Sequence, residues 1–388
     1  MFAQGTITMH GNSKKILFIM HIPPPVHGAA MIGKYIHDFE LVNSCFECKY
    51  VNLTIAQSLE DVGKGGIKKL RLFKQKLKEI KDAIKGFKPD WIYITPNSAG
   101  GAFYKDYIIV QKCKKWGNGN IIVHFHNKGV KTRENRFVDN FLYKHFFKNV
   151  KVILLAKPLY DDIKKYVDYE NVRFCPNGIP DIKTDHTSKS NTSEDIPHIL
   201  WLTNIMLTKG LKEYLVALHI LKKQNVPFIA DFVGGITSEI SEQQFKDYIH
   251  EYDLDDCVIY HGKKYGDDKA AFFNNAAVFV LPSYTEGFPL TVLEAMQYGI
   301  PVVATNVGGI SDAVSNGENG ILVGGDKPIM SNKYRPDPNE ISEALKKLLL
   351  DDDLRKEMGQ NGRRRYKDYF TLETFEKNFV NTILELIK

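Results

Sequence analysis

Val278-Phe-Val-Leu281-Pro-Ser-Tyr-Thr-Glu286-Gly-Phe288-Pro289-Leu290-Thr291-Val-Leu-Glu294-Ala-Met296 is the stretch on which the reading of this chain turns. Val278–Leu281 is apolar at every position rather than at alternate ones, the mark of a strand buried on both faces of a parallel sheet. A helix is predicted from about 290 to 298, with Pro289 in its first turn, where a missing N–H costs nothing. Strand, short loop and helix start together leave unpaired N–H groups and a positive dipole end, a natural seat for phosphate. Glu286 precedes the helix and Glu294 lies within it. Carboxylates accept hydrogen bonds from hydroxyls, so two of them beside a phosphate seat suit a sugar and a ribose. On spacing alone they equally suit two solvated acids at a helix terminus, stabilised by the dipole.

The same alternation extends in both directions. Ile16–Met20, Trp91–Thr95, Ile121–Phe125 and Val152–Leu155 read as buried strands, with helical patterns near 29–40, 64–87, 101–116 and 134–148 between them. Residues 181–197 interrupt this with a polar segment that reads as a linker. Alternation then restarts at Ile199–Leu202, Phe228–Val233, Val258–Tyr260, Val278–Leu281 and Pro301–Ala304, and helical stretches near 339–349 and 372–387 close the chain. The predicted fold class is α/β, two doubly wound Rossmann-like domains facing across a cleft. Residues 1–180 form the first domain and 198–370 the second, with 371–388 a helix crossing back to the first.

Composition limits the function classes. At 388 residues the chain exceeds one ordinary core, and 43% hydrophobic with 25% charged residues excludes a disordered chain or a fibre. Five cysteines suit a reduced interior better than a disulfide scaffold. Cys45 and Cys48 form a C-x-x-C, but no second ligand pair accompanies them, so they read as ordinary cysteines near a strand start. The polar N-terminus and the absence of about 18 consecutive apolar residues predict a cytoplasmic protein, or one on the cytoplasmic face of the inner membrane. The net charge of +6 hides an asymmetry: residues 1–190 carry 31 Lys and Arg against 17 Asp and Glu, the remainder 21 against 29.

Residues 257–323 resemble the donor domain of a family-4 retaining glycosyltransferase of GT-B architecture. The similarity runs through Val258-Ile-Tyr-His-Gly262, the E-x7-E stretch Glu286–Glu294, Gly299-Ile-Pro-Val-Val-Ala-Thr305, Val307-Gly-Gly-Ile-Ser-Asp-Ala-Val314 and Gly317-Glu-Asn-Gly-Ile-Leu-Val323. Weaker echoes at Pro176-Asn-Gly-Ile179, Lys209-Gly210 and Phe232-Val-Gly234-Gly235 carry it across most of the chain. The resemblance implies that Glu286 contacts the transferred sugar and Glu294 the donor ribose. It also places the amides of Phe288, Leu290 and Thr291 near the sugar and diphosphate. Lys209 matches the lysine that neutralises the diphosphate. Five residues earlier, where the family usually has Arg, this chain has Asn204, and Lys128 and Arg133 are the candidate substitutes. Gly234 completes the donor-binding set on this side.

In the first domain, Val123-His-Phe-His126-Asn127 ends a strand at the edge where ligands sit. His126 resembles the family histidine near the reacting carbon, whereas His124 reads as a core residue. Two histidines at alternate positions also spell a metal site, but no third ligand is adjacent. The Pro23-Pro-Pro-Val-His-Gly28-Ala-Ala30 loop allows close backbone approach at Gly28. The resemblance implies that this loop faces donor phosphate and acceptor. No G-x-G-x-x-G is present, which counts against a nicotinamide dehydrogenase. Asp253-Leu-Asp255 and Asp351-Asp-Asp353 have D-x-D spelling but read as turn or cap acids, so no metal or other cofactor is expected.

Residues 64–88 hold ten Lys and Arg against Glu79 and Asp82. Leu70, Phe73, Leu77, Ile80, Ile84 and Phe87 share one face of a helix there, which is expected to pack on the first sheet. The lysine face left over suits an anionic membrane surface. Without a recognition motif or aromatic platform, nucleic acid is not an expected partner. The expected function is therefore hexosyl transfer from a nucleoside-diphosphate sugar to a saccharide or lipid-linked saccharide, with retention, in surface polysaccharide assembly. A sugar-nucleotide epimerase on a related fold and a non-catalytic partner subunit are the alternatives.

Overall fold

Strand β1 (Lys15–Met20) is buried from Ile16 onward because both of its faces are apolar. The computed structural model describes residues 13–24, 28–54, 67–182, 196–331 and 334–388. From β1 the chain continues through α1 (Gly28–Asp38), α2 (Glu40–Cys45), β2 (Glu47–Asn52), α3 (Ile67–Phe87), β3 (Trp91–Ile94) and α4 (Gly100–Trp116). β4 (Ile121–Phe125), α5 (Phe137–Phe146), β5 (Val150–Leu154) and the short β6 (Val172–Phe174) complete a parallel sheet of order β2-β1-β3-β4-β5-β6. Strand order reverses between β1 and β3, which puts the carboxyl end of β1 at the sheet's switch point.

The second sheet is built the same way. Its elements are β7 (His198–Leu202), α6 (Leu211–Lys223), β8 (Ile229–Val233), α7 (Glu242–Glu251), β9 (Val258–Gly262) and α8 (Gly266–Asn275). They are followed by β10 (Ala276–Leu281), α9 (Leu290–Gln297), β11 (Val302–Thr305), α10 (Ile310–Ala313) and β12 (Gly320–Val323). Helices α11 (Pro338–Leu350) and α12 (Asp352–Tyr369) close this part. The order β12-β11-β10-β7-β8-β9 reverses between β7 and β10. Trp201, Tyr214 and Phe232 stack in its core with ring centroids 5.4 Å apart.

The chain divides into two compact units, Met1–Asn177 with Leu372–Lys388, and Gly178–Thr371. The last helix, α13 (Leu372–Ile387), belongs to the first unit. Its Glu376 accepts the Leu41 N–H at 2.7 Å, and its Phe379 ring packs 5.5 Å from that of Tyr93. Most of the expected linker, residues 183–195, lies outside the described residues.

Three sequence expectations change. The chain closes on three helices, not two. Asp351 caps the unforeseen α12 by accepting the Leu354 N–H at 2.9 Å, with Asp352 and Asp353 in its first turn. Pro289 is the cap before α9 rather than its first-turn residue. In α3, Ile80 and Ile84 are buried as expected, but Leu70 is 55% exposed. A helix of 21 residues is about 30 Å long, whereas the six-residue strands beneath it span about 20 Å, so its first turns overhang. All five cysteines are free, and burial pushes the Cys48 thiol up to about 11.

Candidate active site

The loops at the carboxyl ends of β7 and β10 meet at the switch point of the second sheet, where open α/β sheets bind ligands. Gly210, at φ +79°, makes the meeting possible: a Cβ there would stand 2.0 Å from the Pro282 carbonyl oxygen. The Tyr284 N–H donates to the Thr208 carbonyl at 3.0 Å and locks the loops together. This brings Lys209 and Glu286, 77 residues apart in sequence, to 2.6 Å between Nζ and Oε1. The Ser283 hydroxyl donates to the same oxygen at 2.6 Å. The Glu286 side chain is only 10% exposed, so its orientation is set by these two donors rather than by water.

Glu294 stands in α9 and has its own lysine, with Lys269 of α8 donating to its Oε1 at 2.6 Å. Phe288 points inward, its ring 5.7 Å from that of Phe370, so its backbone is the part left for a ligand. Leu290 and Thr291 are the first two residues of α9, among those whose N–H groups have no partner within a helix. Four predicted residues (Phe288, Leu290, Thr291 and Glu294) thus follow Glu286 around one helix start.

Asn204 and Gly234 also meet. A Cβ on Gly234 would lie 1.9 Å from the Thr203 carbonyl oxygen and 3.1 Å from the Asn204 nitrogen, so only glycine allows the β8 loop this close to the β7 loop. Gly235 is covered by Lys263, whose Cε would be 2.0 Å from a Cβ at that position. Lys263 is exposed and follows directly on β9 at the same carboxyl edge. Ser283, Lys263 and Lys269 were missed in the sequence. Their only signal was position, just beyond β10 or β9 at the ligand-binding edge.

The remaining predicted residues lie in the first unit. His124 and His126 leave β4 with ring centroids 4.3 Å apart. His124 is fully buried and its Nδ1 is 2.7 Å from the Tyr93 hydroxyl. Burial, with a smaller contribution from His126, holds its pKa well below the usual histidine range. His126 is half-buried at the strand's carboxyl end. Gly28 is exposed and opens α1, while residues 25–27 of its loop lie outside the described residues. Arg133 is 3.5 Å from the buried Asp139 and so is held within its own unit. Among the described residues no group of three or more His, Cys, Asp or Glu side chains could hold a metal ion.

Two doubly wound parallel sheets with helices on their faces define the GT-B class of α/β protein. Residues 182–365 match the family model described as "Glycosyl transferases group 1", so this part of the chain is similar to the donor half of a family-4 type of glycosyltransferase. The D-inositol 3-phosphate glycosyltransferase of Paenarthrobacter aurescens is 31% identical over 50% of this chain and 47% of its own length. The capsular polysaccharide biosynthesis glycosyltransferase CapM of Staphylococcus aureus is 32% identical over 44% of this chain and 41% of its own. The chain therefore spans less than half the length of these curated relatives. A solved structure of Anabaena Alr3699/HepE in complex with UDP and glucose shares the fold with a TM-score of 0.70 at 17% identity, covering 96% of this chain and 100% of that one.

Proposed function

We propose that the chain transfers a hexosyl unit from a nucleoside-diphosphate sugar to a hydroxyl of a saccharide or lipid-linked saccharide, with retention of configuration. The observation that carries this reading is the Lys209–Glu286 pair at 2.6 Å, set at the switch point beside the start of α9. A diphosphate arriving there meets Lys209 and the amides of Leu290 and Thr291, which stabilise charge as it develops on the leaving group. Lys263, leaning across Gly235, supplies the second cation that Asn204 lacks. Glu286 then accepts hydrogen bonds from the sugar and Glu294 from the ribose. Gly28 and His126 of the first unit keep the roles that the family resemblance gives them. In the reacting step the bond from the anomeric carbon to the donor phosphate oxygen breaks as the acceptor oxygen bonds to that carbon. The acceptor proton passes to the departing phosphate, and the nucleoside diphosphate leaves. Lysines and amides carry the phosphate charge in this scheme, which requires no metal.

CapM is described as a capsular polysaccharide enzyme, which supports surface polysaccharide assembly as the setting, on the cytoplasmic face of a membrane. Among the described residues no helix is long and apolar enough to cross one, and the basic first unit offers a peripheral contact instead. The test is nucleotide release from a panel of nucleotide sugars with saccharide acceptors, comparing the natural protein with Glu286→Ala. Release that depends on acceptor and is lost in Glu286→Ala, while nucleotide still binds, is the expected result. Interconversion of the free nucleotide sugar without release means an epimerase. Failure of every nucleotide sugar to stabilise the protein means a non-catalytic subunit.

A further inference from the structure

Helix α5 buries a carboxylate and leaves large apolar side chains in solvent. The side chains it buries are Asp139, Tyr143 and Phe146, while Phe137, Val138 and Phe141 stand 87%, 61% and 54% exposed. Asp139 is held inside by the Tyr104 hydroxyl, which donates to it at 2.6 Å, and by Arg133. A surface helix ordinarily does the opposite, and while single exposed apolar residues are common, a contiguous patch marks a binding surface. Beside α5, α4 adds Tyr104 and Ile108, 38% and 40% exposed and one turn apart. The two helices are tied where Lys114 donates to the carbonyls of His145, Phe146 and Lys148, and Gln111 to that of His145.

Charge identifies the occupant. Arg136, Lys144 and Lys148 are exposed on and around α5, and Lys112 and Lys115 on α4. The only carboxylates of these two helices, Asp106 and Asp139, are 1% and 2% exposed. On the far side of α4, α3 presents Arg71, Lys74, Lys78 and Lys85 to solvent, against the exposed acids Glu79 and Asp82, of which Glu79 is paired with Lys76. The outer face is therefore apolar and cationic together. A second copy would bring like charges face to face, whereas an anionic lipid surface accepts both features: cations at the headgroups and aromatic side chains at the acyl boundary.

We propose that the outer face of α4 and α5 docks on an anionic bilayer, with Phe137, Val138 and Phe141 entering the interface. The patch lies at the start of α5, on the sheet edge that carries His126, so docking would bring this edge to the membrane. Only that last consequence rests on the reading of a lipid-linked acceptor; the surface itself does not.

The test uses the full chain and needs no substrate. Sedimentation with phosphatidylglycerol-containing vesicles should carry the natural protein down, with phosphatidylcholine vesicles much less effective and added salt weakening the binding. The triple variant Phe137→Ser, Val138→Ser, Phe141→Ser should partition about tenfold or more weakly, since each lost apolar side chain contributes separately. Its thermal unfolding, unchanged, shows that it is folded. Tryptophan emission from Phe141→Trp should shift to the blue on anionic vesicles. Undiminished partitioning of the triple variant, or an unshifted emission, overturns the proposal. So does a natural protein that ignores vesicles and forms a dimer that the triple variant lacks. Each outcome is independent of nucleotide release, so the surface and the proposed transfer fail separately.

Discussion

Each acid of the E-x7-E pair has its own lysine, and this changes how the two should be described. Lys209–Glu286 and Lys269–Glu294 are partly buried pairs, each with 2.6 Å between the charged atoms. A solvated helix-terminus acid, the alternative the spacing allowed, would have no such fixed partner. The acids were legible from their motif. Lys269 and Ser283 were not, because a residue that supports another is defined by proximity rather than by spacing along the chain. Lys263 belongs with them, since its placement depends on two glycines that let three loops converge. Lys263→Ala should weaken binding of the nucleoside diphosphate that the release assay identifies by roughly tenfold, the value of one charge-assisted hydrogen bond. Binding of the corresponding free nucleoside should be unaffected. Titration calorimetry separates the two, and an equal loss for both, or none, removes Lys263 from the diphosphate site.

At the scale of elements, continuously apolar runs identified most of the buried strands, because a strand covered on both faces must be apolar on both. They missed β2 (Glu47–Asn52), a sheet-edge strand of sequence ECKYVN with only Val51 buried, the three-residue β6, and β12 (Gly320–Val323) at the edge of the second sheet. They also missed α12, whose sequence is dominated by charge; its buried Gly359 and Gly362 show no apolar periodicity. β4 carries a different consequence. His124 is held neutral in the fold, so at low pH the unfolded chain binds a proton that the folded one does not. That stability is complete above the unfolded pKa of about 6.5 and falls by about 1.4 kcal/mol per pH unit below it, until the lower folded pKa is reached. Denaturant unfolding followed in the first unit should show this loss between about pH 6.5 and 5, and His124→Phe should reduce its slope.

For the molecule as a whole, the two units differ in how they are closed. The first is completed by α13, which the chain reaches only after building the entire second unit. Phe375, Phe379, Val380 and Ile383 are all buried there. Deleting residues 372–388 removes that layer, and at about 1.5–3 kcal/mol for each large apolar side chain the first unit should lose several kcal/mol. Hydrogen exchange should then rise in β1 and β3 while the strands of the second unit keep their protection. The sequence by itself determined the α/β class and the restart of the strand–helix alternation after a polar segment, and it marked Glu286 and Glu294 as candidates, because burial periodicity and motif spacing are written along the chain. Tertiary structure alone decided which lysine meets which acid, that Lys263 lies across Gly235, and that α5 turns Asp139 inward and Phe137 and Phe141 outward. The physical reason is range: apolar periodicity and motif spacing act between near neighbours, whereas an ion pair or an exposed patch depends on which distant segments the sheet order brings to one edge.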